Sequence, residues 1–215
     1  MSREIGHPEG EAVALYCMTV AALHSDNAGE AVKWGRQAAR IDPETYSSDT
    51  ARGTQAALAA VLMEAGDLEE ARDQCTKALA AAGESGDLRM EAYGAYVISD
   101  LDLRSGDLPG TWRQLGSAVR LAIGAAQMLT PLLSCLSVGG ELCGLSGRWE
   151  EAVTVLAAER TLNRATGRPE RPDTKRRLEK LLHRAAEALG PERTHAAVER
   201  GAAVSWRLLR NTCCS

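Results

Sequence analysis

The chain has 215 residues, 45% of them hydrophobic, and its 25 basic and 29 acidic residues leave a net charge of -4. A chain of this length buries roughly 70% of its unfolded surface, and the acidic balance argues against bulk nucleic-acid binding. Phenylalanine is absent and aromatics make up 4%. A core of Ala, Leu and Val suits close helix packing better than a large cofactor pocket, so no cofactor is called for.

After a polar lead-in at residues 1–8, helical periodicity predicts helices at 9–24 and 28–41, the second stopping before Pro43 because proline disfavours helix in the residue ahead of it. Helices follow at 49–65 and 68–82, with Gly83-Glu84-Ser85-Gly86 as the break. The next pairs are 88–105 with 108–125, and 131–145 with 149–166. Gly167 to Pro172 interrupts the pattern. A helix at 173–189 is stopped by Gly190-Pro191, a shorter one at 191–200 by Gly201, and 205–210 forms a last turn. No stretch alternates in the manner of a strand for long enough to compete. Leu121 to Gly140 carries no charge and approaches spanning length, but Thr130-Pro131 divides it. It reads as the end of one helix and the start of the next, with no membrane span.

The stretch Gly66-Asp67-Leu68-Glu69-Glu70-Ala71 organises these elements. Asp67 is placed as an N-cap and Glu70 completes a capping box. Ala71 and Ala78 then share one face, where small residues let helices approach. Related turns begin at 26, 66, 106 and 147, a spacing of 40 or 41. Self-similarity at a fixed period of this size means a stacked repeat protein. The repeats are read as 9–48, 49–87, 88–127 and 128–167, one unit over 1–166, with 168–215 as capping helices and tail.

The pair Ala31 and Ala38 followed by Pro43, the pair Ala71 and Ala78, and Leu58-Ala59 with Leu62 resemble the tetratricopeptide repeat (TPR). That resemblance implies an all-α, right-handed TPR-like solenoid of about four helical hairpins with a C-terminal helical cap, binding a protein or peptide. Thr111 and Glu159 stand where the family has small residues, and the period exceeds the usual value of about 34. A second ordered series runs from Ala152-Val153 through Ala165-Thr166-Gly167, Ala188-Leu189-Gly190 and Ala196-Ala197 to Gly201. It resembles the C-terminal TPR sensor half of ATP-dependent bacterial transcription regulators of the LuxR and antibiotic-regulatory types. That implies regulation or signalling. The chain has no G-x-x-x-x-G-K-[ST] phosphate loop.

Chemistry is harder to find. His7, His24, His183 and His195 are scattered, with no metal-ligand spacing, and no H-E-x-x-H or G-x-S-x-G is present. We expect no enzyme. Of six cysteines, Cys17, Cys75, Cys135 and Cys143 fall in helical patterns and read as buried reduced thiols of a cytoplasmic protein; no apolar leader precedes them. Cys213-Cys214 supports an alternative function as a metal, redox or modification site, against a plain tail. Arg160, Arg164 and Arg168 share a helix face and, with Arg176 and Lys180, offer a basic patch for phosphate or an acidic partner, or else a solvated surface. Trp34, Trp112 and Trp149 are expected to pack on the second helices of their hairpins.

The resemblance places the first helix of each hairpin along a concave groove. Its family positions carry over to Tyr16 and His24, Met63 and Glu64, Tyr93, Tyr96, Asp100 and Arg104, and Glu141. Tyrosine brings apolar area and a hydroxyl at small entropy cost, which suits a peptide groove; packing between repeats is the competing use. Apolar end repeats would also favour a homodimer.

Overall fold

The computed structural model describes residues 7–45, 47–124, 129–167 and 171–213, and side chains as far as 203 apart from those of 129 and 130. Four antiparallel hairpins follow one another: α1 (Pro8–His24) with α2 (Ala28–Ala38), α3 (Ser48–Ala65) with α4 (Leu68–Ser85), α5 (Leu88–Ser105) with α6 (Leu108–Gly124), and α7 (Leu129–Leu145) with α8 (Trp149–Thr166). Then come α9 (Pro172–Leu189) and α10 (Pro191–Cys213), and no strand occurs among the described residues. The first helices pack in a row, α1 on α3, α3 on α5, α5 on α7 and α7 on α9. Among the described residues no helix is long and apolar enough to cross a membrane; the uncharged run at 121–140 is split between α6 and α7.

The repeat is visible in the backbone. Gly66, Gly106 and Gly147 turn each hairpin with φ of 90°, 83° and 73°, and Asp26 holds the same position in the first hairpin with φ 58°. An L side chain is rarely comfortable there, but Asp tolerates it better than most. The small positions of the second helices are buried: Ala31 and Ala38, Ala71 and Ala78, Thr111 and Ala118, and Ala152. Glu159, the large departure, is buried too, and its carboxylate accepts from Ser137 Oγ at 3.0 Å and Asn163 Nδ2 at 2.6 Å. One main core joins α2 through α7, around Leu58, Leu62, Val97, Leu101 and Leu142. Cys143, Ala152 and Leu156 with Leu178 and Leu181 fasten α9 to the fourth hairpin.

Several expectations need correction. Asp67 makes no side-chain cap bond, and no capping box forms. Glu70 takes Arg36 of the preceding hairpin at 2.5 Å instead, and Asp67 lies 3.7 Å from the same guanidinium. A cation between repeats thus outcompetes the helix's own amides. Gly201 does not end a helix: α10 runs through it. A Cβ there would lie 2.2 Å from the Thr154 carbonyl oxygen and 2.8 Å from Ala157 Cβ. The glycine marks where α10 presses onto α8. Gly140 plays the same part for α7, its absent Cβ facing Leu156. Gly83 stays inside α4, which ends at Gly86. Cys17 is exposed, whereas Cys75, Cys135 and Cys143 are buried, and all four are free thiols. Trp112 is 44% exposed, with Arg148 over its ring at 5.8 Å.

Candidate functional site

Glu64 near the end of α3, Asp100 and Arg104 in α5 and Glu141 in α7 occupy comparable levels of three successive helices. The residues that meet them come from α9. Arg171 Nη1 lies 2.9 Å from Glu64 and its Nη2 3.8 Å from Asp100; Nη2 also donates to the Tyr96 hydroxyl at 2.9 Å. Arg177 reaches Glu141 at 2.8 Å and Asp100 at 3.5 Å. Arg104 bridges Glu64 at 3.0 Å, Asp100 at 3.4 Å and Asp173 at 3.3 Å. It also donates to the Met63 carbonyl. Arg176, pointing the other way, chelates Asp26 in the first hairpin turn at 2.6 and 3.0 Å.

These contacts fix the shape of the row. Arg171 to Arg177 advances only about 9 Å along a helix axis. A flat row of four helices at their normal spacing of 8–10 Å would span roughly 30 Å. The short segment touches the α1–α2 turn, α3, α5 and α7, so the row curves around it. The first helices line a concave face, and the N-terminal turns of α9 sit in it.

Burial sets the electrostatics. The side chains of Asp100 and Glu64 are 1% and 4% exposed. Desolvation raises Glu64 from the ordinary 4.5 to about 7, against the opposing pull of Arg171, and its protonated form shares a hydrogen bond with Asp173. Glu141 is likewise raised by burial, with Arg177 opposing. Asp173 resists the upward pressure of burial: the bond from Glu64 and the guanidinium groups of Arg104 and Arg177 hold it below the usual range. Four carboxylates therefore meet three guanidiniums. Burial also pushes the Cys75 and Cys135 thiols up to about 12, which leaves them unreactive as nucleophiles.

A pH dependence follows. Between about 4.5 and 7 the folded chain keeps a proton on Glu64 that the unfolded chain has released. Stability therefore falls as pH rises through that window, by up to about 3 kcal/mol. Glu141 acts in the same direction. Thermal melts should give a lower midpoint at pH 8 than at pH 5, and Glu64→Gln should flatten the difference. A midpoint that rises over that interval would count against the shared proton.

The structure brings Glu64, Tyr93, Tyr96, Asp100, Arg104 and Glu141 together, but they are not an open surface. Tyr96 is 5% exposed and stacks edge-on with Tyr93 at 5.8 Å. Met63 is fully buried in the main core and does not line the groove. Tyr16 is 38% exposed on α1, and His24 is exposed, bonded to its own Val20 carbonyl at 2.8 Å. The basic residues do not make one patch. Arg176 pairs with Asp26, while Arg160 and Arg164 line a shallow cleft with Leu182 and Val198. Lys180 is an exposed residue of α9, and Arg168 lies outside the described residues, as do the side chain of Cys213 and all of Cys214. Sequence reasoning gave Arg171 and Arg177 no place in the groove. The usable signal was three groove-facing acids on successive helices, which need cations once buried.

An elongated stack of helical hairpins with an inward-facing row of first helices is a repeat-solenoid architecture. Two solved structures share it: the crystal structure of Podosopora anserina putative kinesin light chain nearly identical TPR-like repeats, and a single-substitution variant of that protein. Each aligns with 95% of this chain at a TM-score of 0.57 and 18% identity, covering 99% and 98% of those chains. The fold is thus a TPR-like α-solenoid. No protein-family model and no curated protein matches the chain.

Proposed function

We propose that this chain is a non-catalytic interaction module that receives a protein or peptide segment on its concave face. The observation that carries the proposal is the convergence of side chains from four successive hairpins on one inward surface, polar at its floor and tyrosine-bearing at its α1 lip. Solenoids present extended concave surfaces of this kind for binding. A regulatory or signalling role in the cytoplasm of a bacterium belongs to the same proposal and rests on the sequence resemblance at 150–206. Catalysis is disfavoured by the chemistry of the site. Its acids are tied to arginines, and the buried thiols nearby have raised pKa values.

Capture from a lysate of the cells that make the protein tests this reading. Three baits are compared: wild type, Tyr16→Ala at the groove lip, and Trp112→Ala on the outer surface. A partner held by wild type and Trp112→Ala but lost with Tyr16→Ala is the expected result. Equal retention by all three, or loss only with Trp112→Ala, removes the groove as the binding surface.

A further inference from the structure

The groove wall and α9 are matched in charge. With all three carboxyls ionised, Glu64, Asp100 and Glu141 face one cation of their own, Arg104, and an excess of two negative charges remains. Arg171 and Arg177 supply two guanidiniums, one at each end of the acidic wall. The match is imperfect in detail. Asp100 Oδ2 is buried without a hydrogen-bond partner among the described residues, and Arg171 stops 3.8 Å from it. The wall therefore retains acceptor capacity for a better-placed donor.

The anchoring of α9 is also divided. Its middle is fixed by Leu178, Leu181 and Ala185, buried against α7, α8 and α10. Its first turns, from Arg171 to Arg177, bury Thr174 but no large apolar side chain, and the outermost of their polar contacts, Arg176 to Asp26, joins side chains that are each 53% exposed. An exposed pair of this kind contributes at most about 1 kcal/mol. The first turns are thus the part of α9 with the least apolar anchoring.

We infer that the concave face is an arginine-recognition groove, that the first turns of α9 are its resident occupant, and that its partner is a segment presenting two arginine side chains at the Arg171–Arg177 spacing. This rests on the module reading above and names the partner's chemistry. Guanidinium is suited to the task because its planar donors make paired bonds to carboxylates that an ammonium does not reproduce.

A synthetic peptide of residues 171–182 is the probe, with a twin carrying Arg171→Ala and Arg177→Ala. Calorimetric titration compares the wild-type chain with the Arg171→Ala/Arg177→Ala double variant of the full chain. The variant is expected to bind the arginine peptide at least tenfold more tightly than wild type does, with no such gain for the alanine twin. A gain below threefold, or an equal gain for the twin, overturns the inference. Should circular dichroism show the double variant unfolded, the wild-type chain decides. Millimolar arginine peptide should then speed amide exchange at residues 173–177, and unchanged exchange overturns the inference. A partner that is lost with Tyr16→Ala yet indifferent to competing arginine peptide leaves the module reading standing and removes this one.

Discussion

Arg177→Ala is expected to destabilise the chain by about 3 kcal/mol, at the lower end of the range for breaking a buried ion pair. The Arg177 side chain is 23% exposed, but its partners are more deeply placed: Glu141 at 17% and Asp100 at 1%. Removing the guanidinium leaves Glu141 without its 2.8 Å partner. Arg104 and Arg171 still face Asp100, which is why the loss stays at the lower end. Replacement of exposed Lys77, paired with Asp73 within α4 at 56% and 58% exposure, should change stability by under about 1 kcal/mol. Chemical denaturation of the two variants makes the comparison. A loss at Arg177 no larger than at Lys77 would mean that α9 is not seated in the groove.

Gly201→Leu should be comparably or more damaging. Any Cβ at 201 meets a backbone carbonyl at 2.2 Å and the Ala158 amide nitrogen at 3.0 Å, and neither can rotate away as a side chain would. The two helices must separate along a contact that also buries Ala197 and Val153. Overpacking of this kind costs typically about 1–3 kcal/mol, and the backbone clash places Gly201→Leu at the upper end or beyond. Gly201→Ala should show a smaller loss in the same direction. A Gly201→Ala melting temperature at or above wild type would refute the close α8–α10 approach. Gly140→Ala makes a useful contrast, because its neighbour is the Leu156 side chain and not backbone.

The fold was readable because the sequence repeats it. The turn signal at 26, 66, 106 and 147 matches four left-handed hairpin turns, and α5 and α8 begin and end where periodicity placed them. Punctuation by glycine was less reliable. Gly83 and Gly201 were read as breaks, yet both lie inside helices, and only the partner helix shows that Gly201 serves contact. A glycine's reason is tertiary, so a single sequence leaves it ambiguous. The capping box at Asp67 and Glu70 failed for a related cause: Arg36, more than 30 residues earlier, competes for both acids. Of the residues that family position assigned to the groove, Glu64, Tyr93, Tyr96, Asp100, Arg104 and Glu141 lie near one another. Their occupancy was not legible, because the occupant arrives from α9 after the repeat pattern has ended. Asp26 records the same event. It departs from glycine in the repeat, and its carboxylate is the one that grips Arg176.

The coupling between Glu141 and Arg177 tests the seating of α9 in the groove most directly. A double-mutant cycle of Glu141→Ala, Arg177→Ala and the combined variant, read by chemical denaturation at pH 7, isolates it. A coupling of at least about 1 kcal/mol is expected for side chains in one buried network. Additive losses, with coupling near zero, would contradict the account and leave the concave face without its resident arginines.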